Sequence, residues 1–218
     1  MENSISSVIA IDNQPIAATF FGEGRWLTDF ITPDALEVQG LYRQLTEGIN
    51  DSKERIIACW KWVATNVRYV KFVRGRIWIN GKSSVQNDLW ILPETTIRTQ
   101  VGNCAVKSFL LCSLLRNQLS PEQVCCTLGN LYNGKPGGHA WVVLKLDDEE
   151  YIMESTMPTA PPMIPVVAAK RYEAVHYFND KIVEVVSGKS QILPYTLCYS
   201  TWLSDYLNWS YIEAQRGH

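Results

Sequence analysis

The chain has little of what several function classes require. Its charge is nearly balanced, 20 basic against 22 acidic residues, and a chain without a basic excess lacks the electrostatic footprint of a nucleic-acid binder. No stretch reaches the roughly 18 apolar residues of a membrane-crossing helix. The opening residues do not set a basic region before an apolar one, so no export signal is read there, and the expected setting is the reducing cytoplasm, with a viral particle as the alternative. The six cysteines, Cys59, Cys104, Cys112, Cys125, Cys126 and Cys198, show no paired metal-ligand spacing. Cys125 and Cys126 are adjacent, so on a strand they face opposite sides and cannot readily hold one ion. Neither metal nor cofactor is expected. Histidine is scarce, with three in 218 residues, which leaves few candidates for a general base.

What is present reads as an ordinary globular chain. Hydrophobic residues make up 46% and charged residues 19%, the balance of a domain with a sizeable core. Eight tryptophans and ten tyrosines point first to aromatic packing and second to a groove with stacking walls. Residues 1–31 show no sustained period and read as an N-terminal arm or irregular extension; residues 32–218 read as a single domain. Thr32 before Pro33 predicts a helix N-cap, with Leu36, Leu41 and Leu45 on one side and a stop near Gly48. Asp51 and Glu54 resemble a capping box ahead of Ile56, Ile57, Trp60, Val63 and Val67 at helical spacing. Residues 68–82 alternate basic and apolar side chains up to Asn80-Gly81, which predicts extended structure with a turn. Their Arg68, Lys71, Arg74 and Arg76 read as a solvated strand face before they read as a phosphate stripe.

From Cys104 the run CAVKSFLLCSLLR is apolar on nearly every side, which predicts a central buried helix. Three strands follow, around Cys125, His139 and Tyr151, the last two joined by an acidic turn at residues 147–149. A hairpin is predicted about Asn179-Asp180, and residues 200–214 read as a closing helix. Helices first and antiparallel strands afterwards make the fold class α+β: a central apolar helix carrying the cysteine, packed on an antiparallel sheet.

Within this layout three residues carry chemistry. Asn103 as N-cap puts Cys104 in the first turn of its helix, where free amides and the positive end of the helix dipole favour a thiolate. His139 follows Gly137-Gly138 at an open strand start and has the residue type to hold and return a proton near neutrality. Glu154, on the other arm of the hairpin, can orient that ring. If Leu146 faces Tyr151, paired positions sum to an odd number and Glu154 shares a face with Val143, Trp141 and His139; a one-residue slip would remove it.

These residues resemble the transglutaminase-like superfamily, in particular its bacterial and viral cysteine peptidase-like branch, relatives of papain-like thiol enzymes. The resemblance rests on WILPET from Trp90, on VGNCAVKSFLLCSLLR around Cys104, on GGHAWVVLKL around His139 and on EYIMEST around Glu154. It implies a nucleophile at the start of a central helix and a sheet that supplies histidine and acid. Asn103 stands where family members commonly have Asp, and Glu154 where Asp is more frequent. For the oxyanion hole and substrate groove the candidates are Gln100, Trp78, Trp90, Asn103 and Trp141, with the Cys104 amide as one donor.

The expected function is a thiol-dependent hydrolase of peptide, isopeptide or other amide bonds, acting through a Cys104-His139-Glu154 triad and an acyl-enzyme. Its partner would be a protein or peptide substrate. The competing expectation is a non-catalytic module of the same fold in a larger, for example viral, assembly, docked through the N-terminal arm.

Overall fold

The computed structural model describes residues 7–8, 17–20, 23–71, 73–79, 82–86, 90–133, 135–186 and 213–214, with side-chain surroundings for 26–71, 90–133 and 137–186. Three short strands come first, β1 (Ser7–Val8), β2 (Ala17–Phe20) and β3 (Glu23–Trp26), paired antiparallel. A 3-10 turn at Leu27–Phe30 then inserts Leu27, Phe30 and Ile31 into the core. The stretch read as an arm therefore ends docked in the domain.

Helix α1 (Leu36–Thr46) begins later than the sequence predicts. Thr32 is not its cap: the Thr32 hydroxyl donates to Glu94 Oε2 at 3.0 Å, and Ala35 occupies the cap position without a side-chain bond. Leu36 consequently faces solvent, while Val38 and Leu41 are buried. Helix α2 (Ser52–Asn66) starts as predicted, with Asp51 Oδ1 accepting from the Glu54 amide at 2.8 Å. This bond satisfies one of the amides left open at a helix start. Ile56, Cys59, Trp60, Val63 and Ala64 form its buried stripe.

Strand β4 (Arg68–Tyr69) leads to β5 (Val73–Ile79) and β6 (Lys82–Gln86), which pair antiparallel with Ile79 opposite Lys82; the turn expected at Asn80-Gly81 lies outside the described residues. A short helix not anticipated, α3 (Pro93–Thr99), carries Pro93 in its first turn, the position where a missing amide costs nothing. Strand β7 (Val101–Gly102) pairs parallel with β4 and delivers the chain into α4 (Cys104–Leu115). All twelve residues of α4 are buried, as its all-round apolar sequence requires. Around it Phe109 meets Phe30, Trp90 and Phe178 at ring distances of 5.2, 5.0 and 6.0 Å. Such aromatic pairs add about 0.5–1.5 kcal/mol each beyond their buried area.

The strands between Val124 and Val185 form an antiparallel sheet: β8 (Val124–Asn133), β9 (Lys135–Leu146), β10 (Glu149–Met153), β11 (Ile164–Pro165), β12 (Tyr172–Phe178) and β13 (Val183–Val185), in the order β11-β10-β9-β8-β12-β13. Alternation along β9 sends Ala140, Val142 and Leu144 into the core that contains α4. Trp141 goes to a smaller cluster with Ile152 and Ala169. Asn179 makes the predicted turn after β12, its Oδ1 accepting from the Lys181 and Ile182 amides. The closing helix expected at 200–214 lies outside the described residues except for β14 (Glu213–Ala214), which pairs as a strand with β5.

The β9-β10 turn differs from its prediction. Leu146 faces Glu149, not Tyr151, so the loop is the two residues Asp147 and Asp148, both with positive φ (52° and 62°). That backbone is the tight turn whose twist matches a hairpin. The register moves by two residues and its odd sum survives, so every side chain keeps its face.

Candidate active site

Local pairing fixes the approach to Cys104. The Arg68 amide donates to the Gln100 carbonyl at 2.8 Å and the Val70 amide to that of Gly102 at 3.1 Å, which stitches β4 beside the residues leading into α4. Asn103 caps the helix, its Oδ1 accepting from the Val106 amide at 3.1 Å. A β-carbon at Gly102 would lie 2.7 Å from Val106 Cγ1, so only glycine lets the entering strand pack this closely on the first turn. Cys104 opens the helix, where amides have no intrahelical partner and the dipole is positive.

His139 sits in β9 opposite Gly129. Its ring stacks on Trp141 at 6.0 Å and lies 6.3 Å from Tyr172. Nε2 is 2.7 Å from Glu154 Oε2. The Cys104 side chain lies near enough to the same ring to raise its pKa, and with Nε2 engaged by the acid the nitrogen left for sulfur is Nδ1. Cys104 belongs to the main core and His139 stacks on a ring of the smaller cluster, so the site lies where the two meet.

Glu154 is the first residue after β10 and is completely buried. A buried carboxylate must have its lone pairs occupied, and here both oxygens are. Oε1 accepts from the Thr156 amide at 2.8 Å and the Thr156 hydroxyl at 2.5 Å. Oε2 accepts from His139 and, at 3.1 Å, from the Tyr172 hydroxyl. Its backbone carbonyl accepts from Trp60 Nε1 of α2 at 2.9 Å.

The electrostatics follow. Burial opposes charge on His139, but hydrogen bonds and charges from Cys104 and Glu154 outweigh it and raise the ring to about 10. Burial likewise works against the Glu154 carboxylate, and His139 with Thr156 reverses that and lowers it. The pair is held charged. Burial pushes the Cys59 thiol up to about 12 and Cys125 to about 11, and it drives Cys112 and Cys126 far above the usual thiol range. Those four are protonated thiols at neutral pH.

Lys107, one turn after Cys104, is also buried. Its Nζ donates to the carbonyls of Ala64 at 3.2 Å and Val67 at 2.6 Å, at the buried C-terminal end of α2. Burial brings its pKa down to about 8, against the opposing pull of Glu154.

Cys104, His139 and Glu154 are thus brought together; the groove and oxyanion candidates fare differently. Trp90 is corrected: it is 1% exposed, wedged edge-on against Phe30 and Phe109, and offers substrate no face. Trp141 is corrected likewise, being a buried support beneath His139 and not a groove wall. Asn103 spends its side-chain oxygen on the cap. Gln100 is exposed, in a left-handed conformation that ends α3 four residues before Cys104. The Trp78 side chain lies outside the described residues. Sequence reading missed Trp60, Lys107, Thr156 and Tyr172. Only Thr156 left a local signal, a hydroxyl residue two positions after an acid, the spacing of a side-chain-capped turn. Among the described residues no group of acids, cysteines or histidines is arranged to hold a metal ion.

None of the curated proteins matches the chain. Among solved structures it is similar to LapG of Legionella pneumophila, with 15% identity over 70% of this chain and 90% of that one and a TM-score of 0.46. The EGTA-treated form of that protein gives 14% identity, 72% and 90% coverage and a TM-score of 0.47. A candidate cysteine protease of Cytophaga hutchinsonii gives 15% identity, 77% and 56% coverage and a TM-score of 0.41. The sequence itself matches the family described as the transglutaminase-like superfamily over residues 39–153, from within α1 to the end of β10. With that match spanning more than half of its length, the chain belongs to the transglutaminase-like superfamily.

Proposed function

We propose that the protein is a thiol-dependent hydrolase of peptide, isopeptide or related amide bonds. The observation that carries this reading is the His139 ring, held by Glu154 Oε2 at 2.7 Å and influenced on its other side by Cys104 at the start of α4. Cys104 Sγ attacks the carbonyl carbon, and negative charge on the carbonyl oxygen is met by the amide of Cys104 itself. The carbon-nitrogen bond then breaks as protonated His139 gives its proton to the departing amine. Water adds to the thioester with His139 as base, the acid product leaves and the thiol is restored. Glu154 remains a carboxylate throughout and keeps the ring turned toward sulfur. The substrate is a protein or peptide, and release of the acyl group to a lysine amine in place of water is a variant of the same chemistry.

A second reading, a non-catalytic module of the same fold, draws on the low exposure of Cys104 and His139, 8% and 9%. Site-resolved alkylation by iodoacetamide at neutral pH separates the two. An active site labels Cys104 at least about tenfold faster than Cys59, Cys112, Cys125 and Cys126, and loses that lead in His139→Ala. Equal, slow labelling of all five in the folded wild type would overturn the enzyme reading.

A further inference from the structure

Glu154 Oε2 serves two donors at once. His139 Nε2 approaches at 2.7 Å and the Tyr172 hydroxyl at 3.1 Å. Tyr172 comes from β12, a different part of the sheet from His139, and nothing in the Cys-His-acid chemistry calls for it. Its position is well determined: its amide donates to the Ala169 carbonyl at 3.0 Å, it pairs across from Leu131, and its ring stands edge-on to Trp141 at 5.1 Å. The hydroxyl reaches an oxygen that is otherwise enclosed, since Glu154 is completely buried.

We propose that Tyr172 is a positioning residue for the acid of the triad, its hydroxyl holding Glu154 Oε2 against the imidazole and keeping that oxygen anionic. This rests on the reading of Glu154 as the triad acid. Thr156 occupies only Oε1. Without Tyr172, Oε2 would keep His139 as its donor, in surroundings where water cannot replace what is lost. A hydroxyl suits this place better than a second cation would, because it stabilises the carboxylate without competing for its charge.

The charged and titratable neighbours of Glu154 set how it responds to pH. From β9 it faces His139, and through that ring the Cys104 thiol of α4; Lys107 of α4 adds a positive field. From β12 it faces Tyr172, which itself feels Arg171. Trp60 and Thr156, on α2 and after β10, contribute only uncharged donors. Removing the Tyr172 hydroxyl therefore takes away one donor and leaves every charge in place.

The test is a carboxyl-carbon NMR titration of Glu154 in the wild type and in Tyr172→Phe, with peptide hydrolysis followed over the same pH range. Loss of one hydrogen bond to a charged acceptor should raise the Glu154 midpoint by about one unit. The acidic limb of the activity profile should move with it, through kcat and not KM. Unchanged titration and profile in a folded Tyr172→Phe protein would overturn the proposal. Should that variant not fold, 3-fluorotyrosine at position 172 keeps the ring and strengthens the donor. It should shift the midpoint down, and no shift would count against the proposal. If the wild type hydrolyses nothing, the enzyme reading fails while the titration still judges Tyr172.

Discussion

Gly129 faces His139 across the β8-β9 ladder, and a β-carbon on Gly129 would lie 2.7 Å from the Trp141 ring and 2.1 Å from the Glu173 carbonyl oxygen. Neither neighbour can withdraw easily, one being a buried indole and the other the backbone of β12. Gly129→Ala should therefore push β12 away from β8 and tilt the support beneath the imidazole. Overpacking of this kind costs about 1–3 kcal/mol. Urea unfolding is expected to show a loss at the upper end of that range, with His139-dependent labelling of Cys104 falling too.

The His139-Glu154 pair makes stability depend on pH in a defined window. A ring raised to about 10 contributes fully below its ordinary value of about 6.5 and loses its contribution as pH rises toward about 10. A carboxylate lowered from its ordinary value of about 4.3 contributes above that value and loses its contribution as pH falls through the lowered one. The advantage of wild type over Glu154→Gln should thus be greatest between about pH 4.3 and 6.5, on the order of 3 kcal/mol for a broken buried pair. It should shrink on both sides. Urea midpoints measured from pH 3 to about 10 check the shape, and a flat difference would contradict it.

Lys107 predicts the opposite slope. Its pKa is lowered to about 8 by burial, so between about 8 and its unfolded value of about 10.4 the unfolded chain holds more protons and stability rises with pH. Relative to wild type, Lys107→Met should be most favoured below about pH 8 and lose ground above it. Parallel denaturation curves of the two proteins at pH 7 and pH 10 give the sign directly.

Two ion pairs should differ sharply in weight. Arg116 grips Asp180 through Nε at 2.6 Å, with both side chains only 10% exposed, and ties the end of α4 to the turn after β12. Asp180→Ala leaves the guanidinium buried without its partner and should cost about 3 kcal/mol or more. Lys53 and Asp147 meet at 3.0 Å but are 59% and 80% exposed. Lys53→Ala should leave the urea midpoint unchanged, because solvent screens the pair.

The sequence made Cys104 legible because its signal is local: an N-cap, a glycine and an unbroken apolar helix lie within a few residues of one another. Glu154 was legible through parity alone. The expected turn was two residues too long, and the true one at Asp147-Asp148 preserved the outcome because side chains alternate with period two. Thr32 looked like a cap because proline follows it, yet a contact with distant Glu94 claimed its hydroxyl. Trp90 and Trp141 stood as oxyanion-hole or groove candidates, and the fold buries both among other rings. Trp60, Lys107 and Tyr172 reach the site from α2, α4 and β12, and no pattern along one segment announces a contact made across the fold.

Helix α4 is enclosed on all sides, and this sets how the site can fail. A helix with one wet face can loosen at its end while the rest of a domain stands, but the start of α4 cannot leave its place without opening the core around Phe109. Amide exchange in its second and third turns should then proceed only through whole-domain unfolding. The working lifetime of the nucleophile becomes the lifetime of the fold, and heat inactivation and melting should run as a single event.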